Sequence, residues 1–392
     1  MAGDEGALSS EADYSDWDKL AEHAQTLDGL TELERERASR AFRSLKVELG
    51  VSFLVQAVAQ RHPLVAQLFN LAPWTRRWIV WFADALNELK RHENYSSILS
   101  RLRDPRRFSE GWSVLSTAYK FVLVGFRITI DPQVTVSTGE KVPDVKITNE
   151  GNGEELYVEI SIQKTAVSER EAQDTTDRII QPLWRTMPFL HYCGRIRKTL
   201  APKHLQEVVR RVERIAQEAM QEEAFRELVI DGVLELGVSP DSDKEMLTKW
   251  AAARELRVGE FSGPSFDVDE VLRTRKKLER EQQQLPRDRA NIVVIFNNRI
   301  FTHSQDVRGI ITEIEEEVYR YPHVLATVIT GGHLGSGDDL VMMKDQHVYI
   351  QRTNVGLLVE QYLVLLNRFC EVKVLPQTIT QIYQAFRGPL EA

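Results

Sequence analysis

The chain has 392 residues, 42% of them hydrophobic and 28% charged, with a formal net charge of −8. This is the composition of a globular protein longer than one typical domain, and the acidic balance argues against a general coat for nucleic-acid phosphates. Cys193 and Cys370 are too few for a disulfide framework or a Cys-based zinc site, no run of eighteen apolar residues occurs, and the start of the chain is acidic, so a cytoplasmic protein with neither membrane span nor signal peptide is expected.

Residues 1–30 hold eight acids against Lys19 and read as a flexible arm. Thr31 with Glu34 forms a capping box and opens a helical domain over 31–104, interrupted by Gly50 and Pro63. Pro73 starts a helix that puts Trp74, Trp78, Trp81, Phe82 and Leu86 on one face. Such a face can stack on unpaired bases, but aromatics at helical spacing belong more often to a core. The helix expected over 105–124 carries the core stripe Trp112, Leu115, Tyr119 and Val122, with Glu110 near its start, where the helix dipole favours a carboxylate.

A strand follows over Arg127 to Val136, bent at Asp131–Pro132. Two short alternating segments come next, Val142 to Ile147 and Leu156 to Ser161, joined by a turn rich in Gly and Asn. The period of two places Asp144 with Lys146 on one face, and Glu159 with Ser161 and Gln163 on one face of the next strand. If these strands pair, Asp144 and Glu159 meet. Facing carboxylates repel unless a proton or a hard cation lies between them. That is the local chemistry of a divalent-metal site.

After Lys164, Ser168 caps a further helix, and residues 181–290 read as a mostly helical insertion ending in a charged, exposed linker. Within it, Arg185, Arg195, Arg197, Lys198, Lys203, Arg210, Arg211 and Arg214 stand against Glu207 and Glu213. This basic stripe fits either a track for a phosphate backbone or a solvated helix face. From Asn291 the pattern is strand, helix, strand, a hairpin around Asp345 and an apolar helix over 355–369. An α/β core in two pieces, 105–180 and 291–392, is therefore expected.

Other chemistries find little footing. No histidine pair has zinc-ligand spacing, and Thr330 to Leu340 is rich in glycine but opens no helix, so it reads as a hairpin loop whose Asp338 and Asp339 could border a cleft. Gly335-Ser336-Gly337 lacks the spacing of a nucleophile elbow, and His191 lies too close in sequence to Cys193 to activate it.

The order of an acid-bearing helix, a strand, Pro143-Asp144 and then Glu159 resembles the PD-(D/E)xK nuclease superfamily, the restriction-endonuclease-like fold. One position departs from the pattern: Ser161 stands where the family carries Lys. The resemblance implies a mixed sheet flanked by helices that hydrolyses DNA phosphodiesters with Mg2+ or Mn2+. Asp144, Glu159 and the main-chain carbonyl of Ile160 would be the metal ligands, with Glu110 binding or orienting a second ion or water. The role of the missing Lys would fall to Lys146, Lys164 or Gln163, and the basic stripe would follow the DNA. The alternative is a catalytically inactive member that binds nucleic acid, or assembles with itself or another protein through its helical segments.

Overall fold

The computed structural model describes residues 16–136, 139–185, 189–265, 268–303, 307–334, 339–354 and 358–387. It is a mixed α/β protein with fourteen α-helices and fourteen strands among those residues. Seven helices come first: α1 (Trp17–Ala24), α2 (Glu32–Leu49), α3 (Phe53–Ala59), α4 (Leu64–Phe69), α5 (Pro73–Leu89), α6 (Tyr95–Arg103) and α7 (Phe108–Leu123). Then follow β1 (Phe126–Ile130), β2 (Val134–Val136), β3 (Gly139–Lys141), β4 (Val145–Asn149) and β5 (Glu155–Ile162). The middle of the chain holds α8 (Val167–Trp184), β6 (Leu190–Ile196), α9 (Pro202–Gln221), β7 (Arg226–Ile230), β8 (Leu234–Pro240), α10 (Lys244–Ala252) and β9 (Phe261–Ser262). The last part comprises α11 (Glu270–Glu281), β10 (Asn291–Phe296), α12 (Asn298–His303), α13 (Val307–Val318), β11 (Val324–Leu334), β12 (Leu340–Lys344), β13 (His347–Asn354), β14 (Leu358–Leu366) and α14 (Pro376–Arg387). None of the described helices is long and apolar enough to cross a membrane.

The chain divides into two compact units, Met1–Gln163 with Glu270–Ala392, and Lys164–Asp269. The first is built on an eight-stranded sheet in the order β1-β4-β5-β10-β11-β14-β13-β12, in which β10 runs parallel to both β5 and β11 and the other pairs are antiparallel. Both faces of its centre are covered, so the central strands are apolar on both sides. Ile292 and Val294 of β10 join the core shared with α5, α7 and α14, whereas Val293 and Ile295 join the one shared with α11 and α13.

Several sequence expectations are corrected here. The helices of 31–104 are not a domain apart: Phe42, Leu45, Phe82 and Leu86 share one continuous core with the sheet. The presumed arm contains α1, whose Trp17 is buried and donates its indole N–H to the Gly50 carbonyl at 3.2 Å. The aromatic face of α5 is a packing surface, with Trp78 4.8 Å and Trp81 5.0 Å between ring centroids from Trp112 of α7. The apolar run after residue 355 forms β14, not a helix. It pairs β11 on one side and β13 on the other, and a strand buried on both faces shows no alternation to tell it from a helix. Residues 355–357 lie outside the described residues, as do Gly335 to Asp338 of the glycine-rich loop.

The second unit is a four-stranded sheet, β7-β8-β6-β9, with α8, α9 and α10. It is not the mostly helical insertion expected over 181–290. Residues 190–196 are the strand β6, paired along its length with β8, and the segment from Glu270 onward belongs to the first unit. The core of this unit packs Val208, Val212 and Ile215 of α9 against Leu234, Leu236 and Val238 of β8.

Candidate active site

The hairpin β4–β5 pairs Val145 with Val158 and Ile147 with Leu156, sending these four side chains into the core beneath α7. The residues between them in β5, Tyr157 and Glu159, therefore take the opposite face, with Ser161 following Glu159 there. The register also ends at the right place. Asp144 lies one residue before the ladder starts, and the Ile160 N–H, facing the β4 side with no strand partner left, donates to Asp144 Oδ2 at 2.9 Å. In a strand the N–H and C=O of one residue point to the same edge, so the Ile160 carbonyl faces Asp144 too.

These residues open into a cavity of about 610 Å³ that Asp144, Glu159, Ile160 and Ser161 line together with Glu110 of α7. Three further acid-bearing or basic elements reach it. From α6 comes Arg101, only 8% exposed, which donates to Asp144 Oδ1 at 3.3 Å and also binds Asp131. From the β1–β2 turn comes Asp131, held at φ +49 in the left-handed region, with Ser97 Oγ donating to its carboxylate and its own N–H donating to the Asp144 carbonyl at 2.9 Å. A non-glycine residue in that conformation immediately before proline is restricted by the proline ring, and strain of this kind is retained where a side chain must be aimed. From α11 and the turn after it come Arg280, Glu281 and Gln284.

The approach of α6 depends on one glycine. A Cβ on Gly111 of α7 would stand 2.9 Å from Arg101 Cβ and 3.0 Å from the Leu102 nitrogen, so only glycine lets α6 come close enough to deliver the guanidinium.

Electrostatically the site is poorly compensated. Burial pushes the Asp144 carboxyl up to about 6, against the downward pull of the Ile160 N–H and of Arg101. Glu159 is raised well above the usual carboxylate range, first by burial and then by the charges of Asp144 and Glu281, which the Asp144 main-chain N–H and Lys277 only partly offset. Its Oε1 accepts from Gln284 Nε2 at 3.2 Å, while its Oε2 is buried with no hydrogen-bond partner. Arg101 loses by burial, but the charges of Asp131 and Asp144 outweigh that loss and raise its pKa.

The residues expected to replace the missing Lys are placed elsewhere. Lys146 lies on β4 with its Nζ 3.1 Å from Glu155 Oε1, four residues along β5 from Glu159 and outside the cavity lining. Gln163 keeps to the end of β5, its Oε1 buried without a hydrogen-bond partner, and does not line the cavity either. Lys164 is exposed at the start of the second unit. Glu110 is on the rim, half exposed, and accepts from Arg107 Nε at 3.1 Å.

The basic stripe is spread over the second unit in two different states. Arg195 and Arg197 of β6 both bind Glu235, at 2.6 and 3.1 Å. Arg185, Lys198, Lys203, Arg210 and Arg211 are exposed, the last three on the outer face of α9 among Glu207 and Glu213.

Sequence reasoning missed Arg101, Asp131, Lys277, Glu281 and Gln284. The Asp-Pro dipeptide and the glycine in α7 were visible, but as a turn and a helix interior, not as parts of a site. Among the described residues no group of three or more His, Cys, Asp or Glu side chains is arranged to hold a metal ion. No protein-family model matches the chain, and neither a curated protein nor a solved structure matches it.

Proposed function

We propose that the chain is a divalent-metal-dependent phosphodiesterase acting on DNA, with a restriction-endonuclease-like arrangement of β1, β4, β5 and β10. The observation that carries this reading is the meeting of Asp144 and Glu159 in one cavity, with Glu159 Oε2 buried and unpartnered. A buried carboxylate oxygen without a donor calls for a proton or a cation. The donors are all oxygen, and two carboxylates with one carbonyl match what Mg2+ or Mn2+ usually takes from a protein while keeping several waters. Asp144, Glu159 and the Ile160 carbonyl would hold the ion, whose contribution is to polarise the phosphate and lower the pKa of an attacking water.

The chain's own residues do the rest. Five carboxylates (Glu110, Asp131, Asp144, Glu159 and Glu281) share the lining with two arginines, so an anionic backbone is repelled until a cation is in place. Arg101 keeps Asp144 oriented and ionisable in a buried setting, acting through Asp131 on its other side. Glu110, half exposed at the rim in the first turn of α7 and paired with Arg107 through one oxygen, would orient water with the other. Arg280 reaches the cavity from the solvent side and suits a phosphate oxygen.

The test is incubation of plasmid and single-stranded DNA with Mg2+ or Mn2+, comparing the native chain with Asp144→Ala. Cleavage by the native chain that falls about a thousandfold in the variant supports the reading. A second reading, a non-catalytic nucleic-acid-binding subunit, is favoured by Ser161 in place of Lys and by Arg101 as a built-in counter-charge; it predicts DNA retention without cleavage in both proteins.

A further inference from the structure

Ser161 leaves the Glu159 face of β5 without a cation of its own, and α11 runs over that face. Residues 277, 281 and 284, spaced by four and three, form one stripe of α11 and the turn that ends it. Each is engaged. Gln284 Nε2 donates to Glu159 Oε1 and to Glu281 Oε2, both at 3.2 Å, so one amide spans the two acids. Ser161 Oγ donates to Glu281 Oε1 at 3.0 Å, and Lys277 Nζ lies 3.1 Å from that same oxygen. Lys277 is 15% exposed, whereas Arg280, which meets Glu281 from outside, is 66% exposed and more strongly screened by solvent and salt.

We propose that Lys277 is the positioning cation of this site: from behind the cavity lining it acts on Glu159 through Glu281 and Gln284, with Ser161 anchoring Glu281. Ser161 is thus a link that ties strand to helix: it holds the carboxylate that holds the ammonium. The assignment rests on the phosphodiesterase reading above. In hydrolysis a bond forms from the water oxygen to phosphorus and the P–O ester bond breaks, the water's proton passing to solvent and the leaving oxygen taking one from solvent. The charge of Lys277 holds Glu281 in place and, through the Gln284 amide that spans both acids, the carboxylate of Glu159. The same charge repels a divalent ion at Glu159, so the lysine weakens ion binding while speeding the reaction.

The experiment measures Mn2+ affinity by calorimetry and plasmid cleavage for the native chain, Lys277→Met, and the double variant Ser161→Lys with Lys277→Met. Methionine keeps the buried stem and removes only the charge. Lys277→Met is expected to bind Mn2+ several-fold more tightly and to cleave about a hundredfold more slowly, with kcat falling and KM little changed. The double variant returns the charge from β5 and is expected to recover at least about tenfold of that loss, which a merely structural role for Lys277 would not allow. Unchanged Mn2+ affinity together with unchanged cleavage in Lys277→Met overturns the assignment, while Asp144→Ala still separates the function. If the native chain cleaves nothing but Lys277→Met tightens Mn2+ binding, the hydrolase reading falls and the coupling of Lys277 to the ion stands.

Discussion

The two units of this chain handle charge in opposite ways. In the second, Glu235 sits between Arg195 and Arg197 at the surface of a small sheet, and although burial works against it, its bonds to the two arginines hold its carboxyl below the usual range. In the first, Glu159 is buried and Asp144 half-buried with less positive charge than they need, and both are pushed up. A satisfied pair supports a fold; an unsatisfied one is kept at a cost in stability, and such a cost is tolerated mostly where a ligand removes it. The contrast, more than the number of acids, directs attention to the β4–β5 edge.

That contrast can be broken most forcefully at Glu159. Replacing it by Gln should abolish cleavage, a loss of about a thousandfold, while raising thermal stability near neutral pH by about 1 kcal/mol, read as a shift in Tm. Loss of both activity and stability would mean that Glu159 is an ordinary core acid. The equivalent change in the second unit, Glu235→Gln, should do the reverse: activity is kept and stability falls by roughly 0.5–1 kcal/mol, since the pair is largely at the surface.

The pH slopes should differ in sign. Asp144, at about 6 in the folded chain against roughly 3.9 unfolded, makes the folded state bind more protons between those values, so its stability contribution falls as pH rises through that window and is lowest above it. Glu235, lowered in the folded chain, contributes stability above its unfolded pKa and loses it as pH falls. Mn2+ should therefore raise Tm most near pH 7, by about 2.7 kcal/mol of stability at a hundredfold excess over Kd, and much less near pH 5, where protons compete for the same oxygens. Equal stabilisation at both pH values would place the ion elsewhere. Gly111→Ala should push α6 away, costing about 1–3 kcal/mol of stability along with part of the metal affinity through Arg101. The smallest change expected is in Lys203, Arg210 and Arg211: replaced together by Ala, they should alter DNA retention by less than tenfold, because Glu207 and Glu213 already dilute that face.

How much of this was legible beforehand follows from the range of each contact. Asp144 and Glu159 are joined by one local hairpin, so alternation and a Gly-Asn turn were enough to bring them together. The class of fold was readable for the same reason, from β10, α13 and β11 in succession. Arg101 and Asp144 are 43 positions apart, and Ser161 and Glu281 are 120 apart; no local pattern encodes such meetings. The segment ending in α11 looked like a linker because of its density of charge, yet Thr274, Leu278 and Glu281 are its buried side and the charges on the other faces hid it. Residues 190–196 run in sequence into the long helix that follows and share its basic stripe through Arg195, although Cys193 and Ile196 are buried strand positions paired with β8.

The central claim is that Asp144 and Glu159 share one divalent ion, and anomalous diffraction from a crystal soaked in Mn2+ tests it most directly. The account predicts a single strong peak about 2.1 Å from an oxygen of each carboxylate and near the Ile160 carbonyl, absent in Glu159→Gln. No peak there, with Arg101 still closed on Asp144 and Glu159 unchanged, would contradict it.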